Sequence, residues 1–163
     1  MCITGWVENV AVANGRSMCD CTRAHGDTLS PLHLPGAGLA ALTILYIEDN
    51  DHLRETIGML MEDDRREVVL CANAEAALQA CSERHYDLIV TDVSLPGISG
   101  TELARRLLAD DPQRWIVLCS GYHFGADIAR LGVNVRALNK PFELDELDAL
   151  IAEVAANRPP AAT

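Results

Sequence analysis

From Thr43 to Val154 the sequence alternates, five times over, between a short apolar run and an amphipathic stretch, the pattern of an α/β domain built from βα units. Thr43-Ile44-Leu45-Tyr46-Ile47 reads as a strand buried on both faces. Leu53, Ile57, Leu60 and Met61 then recur at helical spacing, with Asp51 placed to cap that helix. Val68-Val69-Leu70-Cys71 gives a second strand, followed by a helical face of Ala74, Ala77, Leu78 and Cys81. Asp87 opens the third strand, Leu88-Ile89-Val90; the Pro/Gly-rich loop Leu95-Pro96-Gly97-Ile98-Ser99-Gly100 leads to a helix carrying Leu103, Leu107 and Leu108. Trp115 to Cys119 is the fourth strand, Phe124, Ile128 and Leu131 mark a short fourth helix, Val133 to Leu138 is the fifth strand, and Leu144, Leu147, Ile151 and Val154 face one side of a last helix. The expectation is five strands and five helices, a doubly wound parallel sheet joined by right-handed crossovers.

The flanks lack this periodicity. Residues 1–39 scatter Gly, Pro, Ser, Thr and Asn and read as a loosely ordered extension, residues 40–158 as the single domain and 159–163 as a tail. Asn157-Arg158-Pro159-Pro160 ends the pattern, so no output domain is expected to follow. The longest apolar run, Gly36 to Ile47, falls well short of the roughly 18 residues needed to span a bilayer, and no secretory leader is legible, so a cytoplasmic location is expected. Acidic residues number 24 against 13 basic ones, and a net charge of -11 opposes nucleic acid or an anionic membrane as partner. Cys19-Asp20-Cys21, with His25 and His33 nearby, does not fit paired zinc-ligand spacing, whereas Cys71, Cys81 and Cys119 sit on apolar strands or faces and read as free buried thiols.

In open parallel sheets ligand chemistry sits at the carboxyl ends of the strands. The residues there are Glu48 and Asp49 after the first strand, Asp92 after the third, Ser120 after the fourth and Lys140 after the fifth. Lys140 is also the only lysine, the other basic residues all being arginines. Taken alone, Asp92 is a helix cap or turn residue, Glu48-Asp49 a solvated pair and Ser120 a turn cap. Together, three carboxylates at one edge need a cation, and Mg²⁺, a hard ion that takes oxygen ligands, is the natural one. Such a set suits phosphoryl transfer onto an aspartate. Asp49 and Glu48 would hold the metal, Asp92 would attack phosphorus, and Ser120 and Lys140 would bind phosphoryl oxygens.

The run Leu45-Tyr46-Ile47-Glu48-Asp49-Asn50, the run Asp87-Leu88-Ile89-Val90-Thr91-Asp92 with Leu95-Pro96-Gly97 and Ser99-Gly100, and Lys140-Pro141-Phe142 resemble a CheY-like response-regulator receiver domain over about residues 42 to 156. The resemblance implies the flavodoxin-like strand order 2-1-3-4-5 and a signalling module, not an enzyme. It also implies that Asp92 takes a phosphoryl group from a sensor histidine kinase or histidine phosphotransfer protein, with the Ser94 backbone carbonyl joining Glu48, Asp49 and Asp92 as metal ligand. Lys140-Pro141 is expected to be cis. The downstream protein target is not legible, and a homodimer is compatible with the sequence.

One position departs from the family. Receivers usually carry Tyr or Phe three residues before the lysine, and here that residue is Ala137, with Tyr122 as a partial substitute. This keeps open an alternative, a receiver-like docking module independent of phosphorylation. A flavodoxin-type nucleotide binder is disfavoured because Glu48-Asp49 would repel phosphate. A haloacid-dehalogenase-like phosphatase is disfavoured because Ser94 stands where its second Asp would be.

Overall fold

The computed structural model describes residues 10–12, 41–121, 128 and 130–158. Six strands form one sheet: β1 (Val10–Val12), β2 (Leu42–Ile47), β3 (Arg66–Cys71), β4 (Leu88–Asp92), β5 (Trp115–Ser120) and β6 (Val135–Asn139), in the order β1-β3-β2-β4-β5-β6. The last five are parallel and, counted from β2, run 2-1-3-4-5 as expected. The sixth, β1, comes from the N-terminal extension and pairs antiparallel with β3, Val10 opposite Cys71. No sequence periodicity announced it, because three residues are too few to display one.

Four helices are present among the described residues: α1 (Asp51–Met61), α2 (Ala74–Glu83), α3 (Gly100–Asp110) and α4 (Leu144–Asn157). The expected helix around Phe124, with Tyr122, lies largely outside the described residues; its Ile128 is buried. The cysteines and histidines of the extension also lie outside them.

The sheet has an apolar layer on each side. One gathers Leu45, Ile47, Val69, Ile89, Ile116 and Leu118 with Ala77, Leu103 and Leu107 of α2 and α3. The other gathers Ile44, Tyr46, Val90 and Val117 with Met61 of α1 and Leu147, Ile151 and Val154 of α4. Alternate residues of each central strand serve opposite layers, which is why these strands read as unbroken apolar runs. Cys71 and Cys119 are buried free thiols and Cys81 is half-buried; burial pushes the first two up to about 12, so they stay protonated.

Several local expectations need correction. Asn50, not Asp51, caps α1: it is extended and its side chain accepts from the Leu53 amide at 3.0 Å, while Asp51 is already the first helical residue. Leu60 is 52% exposed, because the buried face of α1 runs through Gly58 and Met61, and a residue between these points outward. On α2 the third fully buried position is Ala80, leaving Leu78 and Cys81 half-covered. β6 starts at Val135, not Val133; a turn closed by Val135 N–H to the Gly132 carbonyl leaves Val133 exposed. The helix caps Asn73 and Ser99 each accept from the amide three residues on. No described helix is long and apolar enough to cross a membrane.

Candidate functional site

Strand register brings the predicted residues to one edge. Asp92 and Ser120 are the last residues of β4 and β5, whereas Glu48 and Lys140 directly follow β2 and β6. The Glu48 amide donates to the Cys71 carbonyl at 3.2 Å and the Lys140 amide to the Ser120 carbonyl at 2.6 Å, so each strand's hydrogen bonding continues one residue into the site. Lys140-Pro141 is cis. Ser99 caps α3, and Gly100 lies so close to β4 that an added Cβ would sit 2.1 Å from the Asp92 carbonyl oxygen.

One carboxylate oxygen from each of Glu48, Asp49 and Asp92 lies within 4.8 Å of the others. Glu48 is buried and Asp49 exposed, so the cluster is open on one side. The Lys140 ammonium donates to Glu48 Oε2 at 2.7 Å and to Asp92 Oδ2 at 3.0 Å. Burial works against its charge, but the hydrogen bonds and charges of Glu48 and Asp92 outweigh that and hold its pKa above the ordinary lysine value. Asp92 Oδ1 accepts from the Ser94 amide at 3.2 Å, and Ser94 itself is exposed. Ser120 is 1% exposed, with Asn139 opposite it on β6. Ala137 is exposed on β6.

Three close carboxylates against one ammonium leave an excess of negative charge with hard oxygen donors, a set that fits a divalent cation such as Mg²⁺.

Some contributors escaped the sequence reading. Tyr46, buried in the core, places its hydroxyl 3.5 Å from Glu48 Oε2, and burial together with Glu48 keeps that phenol neutral. Arg54 donates to the Glu48 carbonyl at 2.8 Å and to Asp51 Oδ1 at 2.6 Å. In the sequence Arg54 offers only its spacing of three from Asp51, which is that of an ordinary helix-surface pair.

Comparisons with known proteins agree with this architecture. The response regulator receiver domain model matches residues 44–152. The chain is 33% identical over 138 residues to the sensor histidine kinase AruS of Pseudomonas aeruginosa, covering 81% of this chain and 14% of AruS. It is 31% identical over 122 residues to the transcriptional regulatory protein FixJ of Bradyrhizobium diazoefficiens, covering 73% of this chain and 59% of FixJ. It thus spans only part of the length of either relative. The response regulator protein TrrA of Thermotoga maritima, solved in complex with Mg²⁺ and BeF, superimposes with a TM-score of 0.63 at 27% identity, covering 69% of this chain and 98% of that one. A receiver match across well over half of the 163 residues, on a 2-1-3-4-5 sheet with its acidic cluster at the strand ends, means that the chain belongs to the response regulator receiver family of two-component signalling.

Proposed function

We propose that this receiver accepts a phosphoryl group on Asp92 from the phosphohistidine of a sensor histidine kinase or histidine phosphotransfer protein, and passes the signal on by phosphotransfer or by binding a protein target. The observation that carries the reading is the placement of Asp92: one carboxylate oxygen lies 3.0 Å from the Lys140 ammonium, and the side chain belongs to a three-carboxylate cluster within 4.8 Å. In the transfer an Asp92 oxygen forms a bond to phosphorus while the phosphorus–nitrogen bond of the donor breaks, its electron pair staying on the imidazole. Lys140 would pair with one oxygen of the transferred group and Ser120 would donate to another. Glu48, Asp49, Asp92 and the Ser94 carbonyl would hold Mg²⁺, which when bound supplies charge neutralisation for the transferring phosphoryl group. The Ser94 amide, on Asp92 Oδ1, orients the nucleophile by occupying one of its two oxygens.

The test is incubation with a small phosphodonor and Mg²⁺ followed by intact mass. Wild type is expected to gain one phosphoryl group and Asp92→Asn none; an unlabelled wild type, or equal labelling of the variant, would sink the reading. Lys140→Arg is expected to impair signalling more than labelling, because a planar fork does not reproduce a compact ammonium.

A second reading is a docking module that does not depend on phosphate. What favours it is Ala137, exposed on β6 where the family usually has an aromatic ring. Partner capture equal for wild type and Asp92→Asn, with and without phosphodonor, is the outcome this second reading requires.

A further inference from the structure

We propose that Arg54 is a positioning residue for the acidic site, clamping the turn between β2 and α1 so that Glu48 and Asp49 stay beside Asp92. The inference rests on the reading of Glu48 and Asp49 as cation ligands.

The Glu48 peptide is tied on both sides. Its N–H donates to the Cys71 carbonyl on β3 at 3.2 Å, and its carbonyl accepts from Arg54 Nη1 at 2.8 Å. The second guanidinium nitrogen donates to Asp51 Oδ1 at 2.6 Å, and the Arg54 amide donates to the Asn50 carbonyl at 2.8 Å. Asn50 is held in turn, its side chain accepting from Leu53 and its own amide lying 3.4 Å from Glu48 Oε1. The two ends of the turn, Glu48 and Asp51, are therefore bridged by one side chain, which is only 15% exposed despite its charge. This turn carries two of the three carboxylates that crowd within 4.8 Å, and their repulsion acts to push it away from Asp92. Anchoring the Glu48 carbonyl opposes that displacement. Bonding a carbonyl and a carboxylate at once suits the rigid fork of arginine, and an ammonium on a flexible stem does not reproduce it.

Charge and positioning make opposite predictions. If Arg54 acted only as a nearby positive charge, its removal would tighten binding of a divalent cation, and Arg54→Lys would change nothing. If it acts by positioning, both Arg54→Ala and Arg54→Lys weaken binding.

The experiment is calorimetric titration of the full chain with Mg²⁺, alongside amide hydrogen exchange of the metal-free protein. Arg54→Ala is expected to weaken Mg²⁺ binding by about tenfold, in the range found for groups that orient metal ligands, with a smaller loss in Arg54→Lys. Exchange at residues 48–53 is expected to quicken while β4 and β5 stay protected. Unchanged or tighter Mg²⁺ binding, or unchanged exchange at residues 48–53, would overturn the proposal; should Arg54→Ala not fold, Arg54→Lys decides by the same two measurements. If wild type binds no Mg²⁺, or Asp49→Asn binds it equally well, the ligand reading fails instead, and the exchange comparison alone decides whether Arg54 holds the turn.

Discussion

Replacing Gly100 by Ala should cost this domain far more than one methyl group suggests. Gly100 opens α3 where that helix meets the end of β4, and its amide donates to the Val93 carbonyl at 3.1 Å. A Cβ at this position would lie 2.1 Å from the Asp92 carbonyl oxygen, 2.9 Å from its carbon and 3.0 Å from Thr91 Oγ1. A carbon–oxygen contact settles near 3.3 Å, so the helix start would have to retreat by roughly 1 Å. The first obstacles are backbone atoms of a buried central strand, and they cannot swing aside as a flexible side chain would. Retreat stretches the Gly100–Val93 hydrogen bond and loosens Leu103 and Ala104, both 0% exposed. Overpacking costs about 1–3 kcal/mol and a weakened hydrogen bond about 1. Alanine's helix propensity returns at most about 1 kcal/mol, leaving a net loss of about 1–3 kcal/mol. Gly121→Ala is the control, since among the described residues nothing lies within 4 Å of its Cβ, and it should stay within about 0.5 kcal/mol of wild type. Urea unfolding measures both variants. Equal stabilities for the two would refute the close-approach argument. Because the clash is with the carbonyl of Asp92 itself, slower phosphoryl labelling of the folded Gly100→Ala protein should accompany the loss.

Two further predictions concern the site's charges. Asp49→Asn removes one of three mutually repelling carboxylates, so the metal-free protein should melt a few degrees higher, modestly because Asp49 is exposed and screened, while the Mg²⁺-induced rise in Tm disappears. A retained Mg²⁺ shift would count against Asp49 as ligand. Lys140 has a raised folded-state pKa, so its contribution is fully present below the unfolded value of about 10.4 and is lost as pH rises through the higher folded value. The Tm gap between wild type and Lys140→Met should therefore be constant from pH 7 to about 9 and narrow in strongly alkaline solution. A gap unchanged throughout would show that the ammonium's charge is not what Glu48 and Asp92 require.

The five parallel strands were legible because burial on both faces removes polar alternation from β2, β4 and β5, and such runs have few other uses. Helix faces were legible to within one residue. The error at Asp51 is a helix start displaced by one residue, and the error at Leu60 comes from a rotation of about 100° per residue, which a three-turn helix of mixed composition does not fix. β1 was illegible because its place is set by an edge it happens to meet, not by any period of its own. The strand-end residues were readable for a topological reason: whatever follows a buried parallel strand emerges at one edge, whichever chemistry it bears. Arg54 and Tyr46 were not, because their roles depend on where a long side chain ends. Tyr46 looks like any apolar strand residue until its hydroxyl is found beside Glu48, and Arg54 looks like a surface cation until it is found on a backbone carbonyl.

Lys140 is the only lysine in a chain whose other bases are arginines, and the geometry gives that choice a reason. Its nitrogen stands 2.7 Å from Glu48 Oε2 and 3.0 Å from Asp92 Oδ2, oxygens of two residues at the ends of different strands converging on one point. An ammonium is a point donor with three rotatable hydrogens and meets that demand; a guanidinium spreads its donors in a plane suited to the two oxygens of a single carboxylate. The same point charge explains the need for a further cation. Three carboxylates and one ammonium leave about two negative charges at a site where Glu48 is 3% exposed. A divalent oxygen-seeking ion matches that remainder in both charge and chemistry, whereas a second lysine would supply half the charge and fill the space that the proposed phosphoryl group would enter.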